Sequence, residues 1–250
     1  MRVVRNVGYI KRRKRAAQLM VGVGLVLLLA SWGVYLLQPD ILLFAMVGLA
    51  FGFIFFNGGM QQMTRWARRP RTDVVIDNQL KALNDRYTLI HYPDIPGRRP
   101  DHVLISPSGV LVMTSREAHG RLSVKGTRWR QRRSPLLSAF SLGGPQLGNP
   151  SIENDEQVKS VREFLTAENL TIEPTGAIVF VADNVEVHME DTPVTILHAT
   201  EIHDHLLETA TEVTVGGRER DQLVEKLSRG EQLERSVDKV TRPKKRVRAA

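Results

Sequence analysis

Two long uncharged runs stand near one end of the chain, and short alternating segments fill most of the rest. Residues 16–37 carry no charge and consist mainly of Val, Leu, Gly and Ala. Twenty-two residues of helix reach about 33 Å, enough for the hydrocarbon core of a bilayer. Gln38-Pro39-Asp40 interrupts the run. Residues 41–64 are again uncharged, apolar and Phe-rich over 41–56, with Asn57, Gln61 and Gln62 beyond. The pattern predicts a transmembrane helical hairpin over 16–64. A buried pair of soluble helices is the plainer alternative. A cleaved signal peptide fits poorly, because the first run is long, ends in no small-x-small site and is followed at once by a second.

Beyond the hairpin the period changes. Residues 72–83 place Ile76, Leu80 and Leu83 on one helical stripe, with Thr72 as a candidate N-cap. Residues 87–92 are β-like, and the Pro- and Gly-containing stretch 93–100 leads into DHVLISPSGVLVMTSREAHG, residues 101–120. There Val103 and Ile105 lean one way and His102, Leu104 and Ser106 the other. Ser106-Pro107-Ser108-Gly109 supplies a turn, 110–115 runs back, and 121–125 reads as a third strand. The expectation is a β-meander with Asp101 at its mouth. Residues 134–149 have no clean period and read as a loop that covers the core or, through Leu136, Leu137, Phe140 and Leu142, touches a membrane. Residues 152–168 carry Val158, Val161, Phe164 and Leu165 at helical spacing. Short apolar runs at 177–182 and 194–197 have the form of buried strands. Further helices are expected at 200–207 and from 218–229 onward past Gly230 toward Val240.

The chain so divides into a basic N-terminus (1–15), the hairpin (16–64), an α/β domain (70–210), a helical region (211–241) and a basic tail (242–250). The fold class is α/β: a two-helix transmembrane hairpin followed by a mixed-sheet α/β sandwich.

Charge then sets the orientation. The formal net charge is +8 and there is no Cys, so neither a disulfide framework nor a thiolate metal site can form. Seven Lys or Arg lie within 1–15, and Arg65, Arg68, Arg69 and Arg71 follow the second span, while the turn carries only Asp40. The positive-inside rule puts both ends and the whole soluble domain in the cytoplasm, as a multi-pass protein of the cell membrane. Gly48 and Gly52 form a GxxxG that would suit a homodimer. Because the tails and membrane flanks hold most of the excess charge, the basic balance says little by itself about nucleic acid.

An Asp-His opening a strand, a Pro-Ser-Gly turn, an apolar strand ending in a polar triplet and then His119-Gly120 resemble the core of the nuclease-related domain, NERD. That family is a branch of the PD-(D/E)xK nuclease fold, and the likeness runs from about Asp73 to about Leu207. It implies a restriction-endonuclease-like sandwich. By the same resemblance Asp101 matches the first metal-binding aspartate, Asp73 falls near an early helix acid, and Asn149-Pro150 matches an Asn-Pro followed by a glutamine, here Glu153. The family's Glu-x-Lys is Thr114-Ser115-Arg116 here. Hydrolysis on this fold needs Mg²⁺ or Mn²⁺ between two carboxylates. Thr114 is a poor ligand, and Arg116 keeps the charge but cannot serve as a base.

Two readings of function follow. One is a degenerate nuclease motif on a membrane-anchored domain that binds nucleic acid or a protein partner without catalysis and needs no cofactor. The other is an active metal-dependent nuclease in which Glu153 joins Asp101 as metal ligand, with Glu117 and His119 as lesser candidates. Asp101 could instead cap its strand or pair with Arg98 or Arg99. Arg128, Trp129, Arg130, Arg132 and Arg133 form a basic cluster able to meet a phosphate backbone or anionic lipid. The hairpin itself as the functional part ranks last, since no ionisable residue lies within either span.

Overall fold

The computed structural model describes residues 1–131, 147–182, 184–209, 215–229 and 233–236. Arg132, Arg133, most of the expected loop over 134–149 and the tail 242–250 lie outside the described residues.

Helix α1 (Val7–Leu37), a 3-10 turn (Pro39–Ile41) and helix α2 (Leu42–Ala67) make the hairpin. Both helices are long and apolar enough to cross a membrane. Small residues recur every seventh position on the facing sides: Ala17, Gly24 and Ser31 in α1, and Ala45, Gly52 and Gly59 in α2 are buried. That spacing keeps one seam turned to the partner helix. A Cβ on Gly52 would lie 2.9 Å from the Leu28 nitrogen, and one on Gly59 2.7 Å from the Val21 nitrogen. A Cβ on Gly48 would collide with Ser31. The Gly48/Gly52 stripe is therefore consumed inside the hairpin, which corrects the expectation that it serves a homodimer. The other faces turn Leu19, Val26, Leu29, Trp32, Phe44 and Phe53 outward.

Among the described residues the domain is a seven-stranded mixed sheet with helices on both faces. Its strands are β1 (Arg2–Asn6), β2 (Thr88–His91), β3 (His102–Ser106), β4 (Gly109–Arg116), β7 (Thr175–Phe180), β9 (Thr195–His198) and β10 (Leu233–Ser236). The order is β10-β1-β2-β3-β4-β7-β9. Helices α4 (Pro150–Ala167) and α6 (Gly217–Leu227) cover one face, where Val161, Leu165, Leu223 and Leu227 meet Val103, Ile105 and Val112. Helices α3 (Thr72–Leu80) and α5 (Ile202–Thr209) cover the other, where Ile76, Leu80, Ile202 and Leu206 meet Leu104, Met113 and Val179. Val103 and Ile105 thus go one way and Leu104 the other, as the alternation predicts. Burying each large apolar side chain stabilises the sandwich by about 1.5–3 kcal/mol. Gly176 lets α4 sit close to β7, since a Cβ there would run into Asn154 and lie 2.9 Å from Val158.

Three elements differ from expectation. First, the segment 1–15 is not a free basic tail: Arg2–Asn6 lies in the sheet, parallel to β2 and antiparallel to β10. Its Val4 is buried in the core, and Asn6 caps α1 by accepting the Tyr9 N–H at 2.9 Å. Second, the meander holds only two strands of the main sheet. The outer edge of β4 is taken by parallel β7, so β5 (Gly120–Lys125) leaves and pairs with β6 (Arg128–Gln131) and β8 (Val185–Glu190) in a separate sheet. Third, α6 stops at Leu227, and Leu233–Ser236 is a strand and not a helix running to Val240, because the edge of β1 offers it a ladder.

Candidate functional site

Asp101 sits just before β3, where the backbone turns into the sheet, and is 5 % exposed. Its Oδ1 accepts from Arg65 Nη2 at 2.9 Å, and its Oδ2 accepts the Ser115 N–H at 3.3 Å. Arg116 Nη1 lies 3.8 Å from the same Oδ2. Burial by itself pushes the Asp101 carboxyl up, and the Arg65 and Arg116 charges with the Ser115 N–H outweigh it, so the group stays ionised below the usual range.

Arg116, at the end of β4, is 7 % exposed and spans two carboxylates. One side of its guanidinium faces Asp101, and Nη2 pairs with Glu153 Oε2. Glu153, in the first turn of α4, also receives Arg98 Nη2 at 3.1 Å. The fold therefore does bring Asp101, Arg116 and Glu153 together, with the guanidinium between the two acids. Thr114 is turned to other work. Its hydroxyl donates to Gln157 Oε1 at 3.0 Å and accepts from Asn154 Nδ2 at 3.0 Å. Asn154 also donates to the Val112 and Ala177 carbonyls, and Gln157 Oε1 takes the Asp101 N–H at 3.1 Å. These bonds stitch α4 to β3, β4 and β7 with neutral groups.

A divalent cation here would need hard oxygen donors converging on one point. Asp101 and Glu153 are each held by guanidiniums, Thr114 is committed to helix α4, and no cluster of three or more metal-ligating side chains exists among the described residues. These side chains do not fit Mg²⁺ or Mn²⁺; the positive charge between the carboxylates is supplied by Arg116.

The remaining candidates lie elsewhere or serve differently. Glu117 reaches the same cleft and pairs with Arg68 at 3.0 Å. His119 bonds Asn184 beside the small sheet. Asp73 pairs with Arg5 at 2.7 Å and with Arg71 at 2.8 Å. Neither Arg98 nor Arg99 pairs with Asp101 through a described contact; Arg99 pairs with Asp94. Trp129 packs on Phe180 with centroids 5.8 Å apart and donates its indole N–H to Ser151 Oγ at 2.8 Å. The half-buried ring so packs against the edge of the apolar cluster around Phe180. Arg128 and Arg130 alternate with it and are exposed.

Several site residues carried no signal in the sequence. Arg65 comes from the end of α2 and belongs to the site only because the hairpin docks there. Behind it, Trp66, Tyr92 and Ile10 form a buried cluster against Tyr9. A buried chain of polar groups runs from Ser115 inward: Ser115 Oγ to His102 Nε2 is 3.0 Å, His102 Nδ1 to His91 Nδ1 is 2.6 Å, and His91 Nε2 to Asp77 Oδ1 is 2.8 Å. Burial pushes His102 down to about 3, so its ring is neutral at ordinary pH. A neutral imidazole has one donor and one acceptor nitrogen, so His102 donates in one of its two bonds, to His91 Nδ1 or to Ser115 Oγ, and accepts in the other.

Compared with known proteins, residues 72–181 match the family model described as nuclease-related domain, NERD. That span runs from the start of α3 just past the end of β7 and contains Asp101, Thr114, Arg116 and Glu153. Neither the curated proteins nor the solved structures gave a match.

Proposed function

Taking as premise that this chain carries a nuclease-related domain, we propose that it is a membrane-anchored binding module in which an arginine has replaced the metal ion of a nuclease site. The observation that carries this reading is the Arg116 guanidinium lying between Asp101 and Glu153. A fixed organic cation neutralises the two acids but cannot lower the pKa of a bound water as a metal ion does. The domain keeps the fold and loses the hydrolytic step. Its partner is a nucleic acid or a protein, and among the described residues of the basic cluster Arg128 and Arg130 are exposed to meet phosphate.

Anchoring rests on the outward faces of α1 and α2. Soluble proteins rarely expose so large a continuous apolar surface. The Lys and Arg residues at both domain-side ends of the hairpin favour a cytoplasmic domain.

The test uses the full chain in detergent with single- and double-stranded DNA and RNA, in Mg²⁺ or Mn²⁺. No cleavage is expected, and calorimetry should detect no Mn²⁺ binding. Metal-dependent cleavage lost in both Asp101→Ala and Glu153→Ala would overturn the reading in favour of a nuclease with a relocated ligand. A Thr114→Glu, Arg116→Lys double variant is expected to gain Mn²⁺ binding.

A further inference from the structure

Helix α1 carries a block of charge that nothing in the chain answers. Lys11-Arg12-Arg13-Lys14-Arg15 are five cations in succession, and between Met1 and Thr72 the sole acid is Asp40, at the far end of the hairpin. Lys11, Lys14 and Arg15 are exposed and make no ion pair or side-chain hydrogen bond among the described residues. On the membrane reading above, on which this inference rests, residues 16–37 cross the hydrocarbon core. Arg15 then stands at its boundary and Lys11 about 6 Å further out, so these cations lie in the headgroup layer.

A groove runs inward from them along the outer side of the helix. Positions 11, 15, 18, 22 and 26 share one stripe. Arg15 and Gln18 line the upper end of the groove, and Leu19, Gly22, Val23 and Val26 line the rest. Gly22 opens it: a Cβ there would meet nothing within 4 Å, whereas Gly24 and Gly59 are pressed against the partner helix. The groove has a volume of about 660 Å³, within the roughly 300–1,000 Å³ of ligand sites. Gly22 lies about 10 Å below Arg15, at the depth of an acyl chain. The fitting ligand is anionic at its outer end and apolar along its length. We infer that the outer groove of α1 holds one anionic phospholipid, its headgroup against Lys11, Lys14 and Arg15 and an acyl chain across Gly22.

Native mass spectrometry of the detergent-purified full chain, titrated with phosphatidylglycerol or phosphatidylcholine, tests this. The two lipids share a phosphodiester and differ in net charge, which is the property that unanswered cations read. Phosphatidylglycerol is expected to bind at least about tenfold more tightly, since each cation beside an anionic headgroup strengthens binding about fivefold. A Lys11→Gln, Lys14→Gln, Arg15→Gln triple variant should bring the two lipids level. Gly22→Trp fills the groove and leaves both the charge and the helix seam alone. It should weaken phosphatidylglycerol by about tenfold, the loss of some two buried CH₂ groups, while circular dichroism shows a folded chain. Equal affinity in the wild type, a preference that survives the triple variant, or unchanged binding to folded Gly22→Trp overturns the assignment. Displacement of the lipid by millimolar inorganic phosphate would make a free anion the ligand and also overturns it. Release of the chain from liposomes by alkaline carbonate would overturn the membrane reading itself, so the two failures are told apart.

Discussion

Asp101→Asn preserves shape, turns an NH₂ toward one of the two N–H donors that the carboxylate accepts, and leaves Arg65 and Arg116 without their shared counter-ion. Breaking a fully buried pair costs roughly 3–5 kcal/mol; Arg65 is 44 % exposed, so about 2 kcal/mol is expected, read as a lowered apparent Tm of the full chain in detergent. Asp73 gives the pH dependence. Burial raises its carboxyl, but the Arg71 hydrogen bond and the neighbouring His91, Arg71 and Arg5 charges bring it to about 2, against an ordinary 3.8. Its folded pKa is depressed, so its stabilisation is complete above pH 3.8 and is lost as pH falls toward 2. That difference corresponds to about 2 kcal/mol, and Asp73→Asn should flatten the acid limb of a stability profile. At this scale the sequence was partly legible. Asp101, Arg116 and Glu153 could be picked out because they fall where the sequence resembles the motif positions of the nuclease-related domain. Arg65 could not, because its approach depends on how α2 docks, and Asn154 and Gln157 look like ordinary polar helix positions until Thr114 is seen beneath them.

Helices and strands with strong apolar periods were readable in advance: the hairpin, α3, β3, β4, α4 and β7. Those whose identity depends on a distant partner were not. Strand β1 is five residues beside a basic run, and its parallel neighbour β2 starts at Thr88. Strand β8 carries Glu186, His188 and Glu190 in an alternation that only β5 completes. The departure of β5 from the main sheet leaves no mark on its own two-residue period. Two tests act on elements. A fragment beginning at Pro70 lacks β1 and Arg65 and opens the β2 edge, so it should aggregate on size-exclusion chromatography. Joining residues 1–9 to 66–250 through a flexible linker should restore a monodisperse species. In the hairpin, Gly24→Leu places a side chain against the Phe56 backbone and should lower stability by about 1–3 kcal/mol, measured as thermal unfolding in detergent.

For the molecule as a whole, the hairpin is an insertion between the first strand and the rest of the domain, and the sheet is held to it by the Asn6 cap of α1, by Tyr92 packed on Ile10 and Trp66, and by the Arg65–Asp101 pair. The native chain contains no Cys, so single cysteines report position cleanly. In intact cells a membrane-impermeant maleimide should label Asp40→Cys in the turn and leave Arg130→Cys untouched; the reverse pattern would invert the proposed orientation. The place of β1 also bears on synthesis. The strand leaves the ribosome before either neighbour exists, and some eighty residues separate it from β2, about 4–16 seconds of translation. Both hairpin helices are made within that interval, with the strand waiting beside them. The nascent chain can close its central sheet only after the whole hairpin is made, so a hairpin that packs wrongly also leaves the first strand in the wrong place.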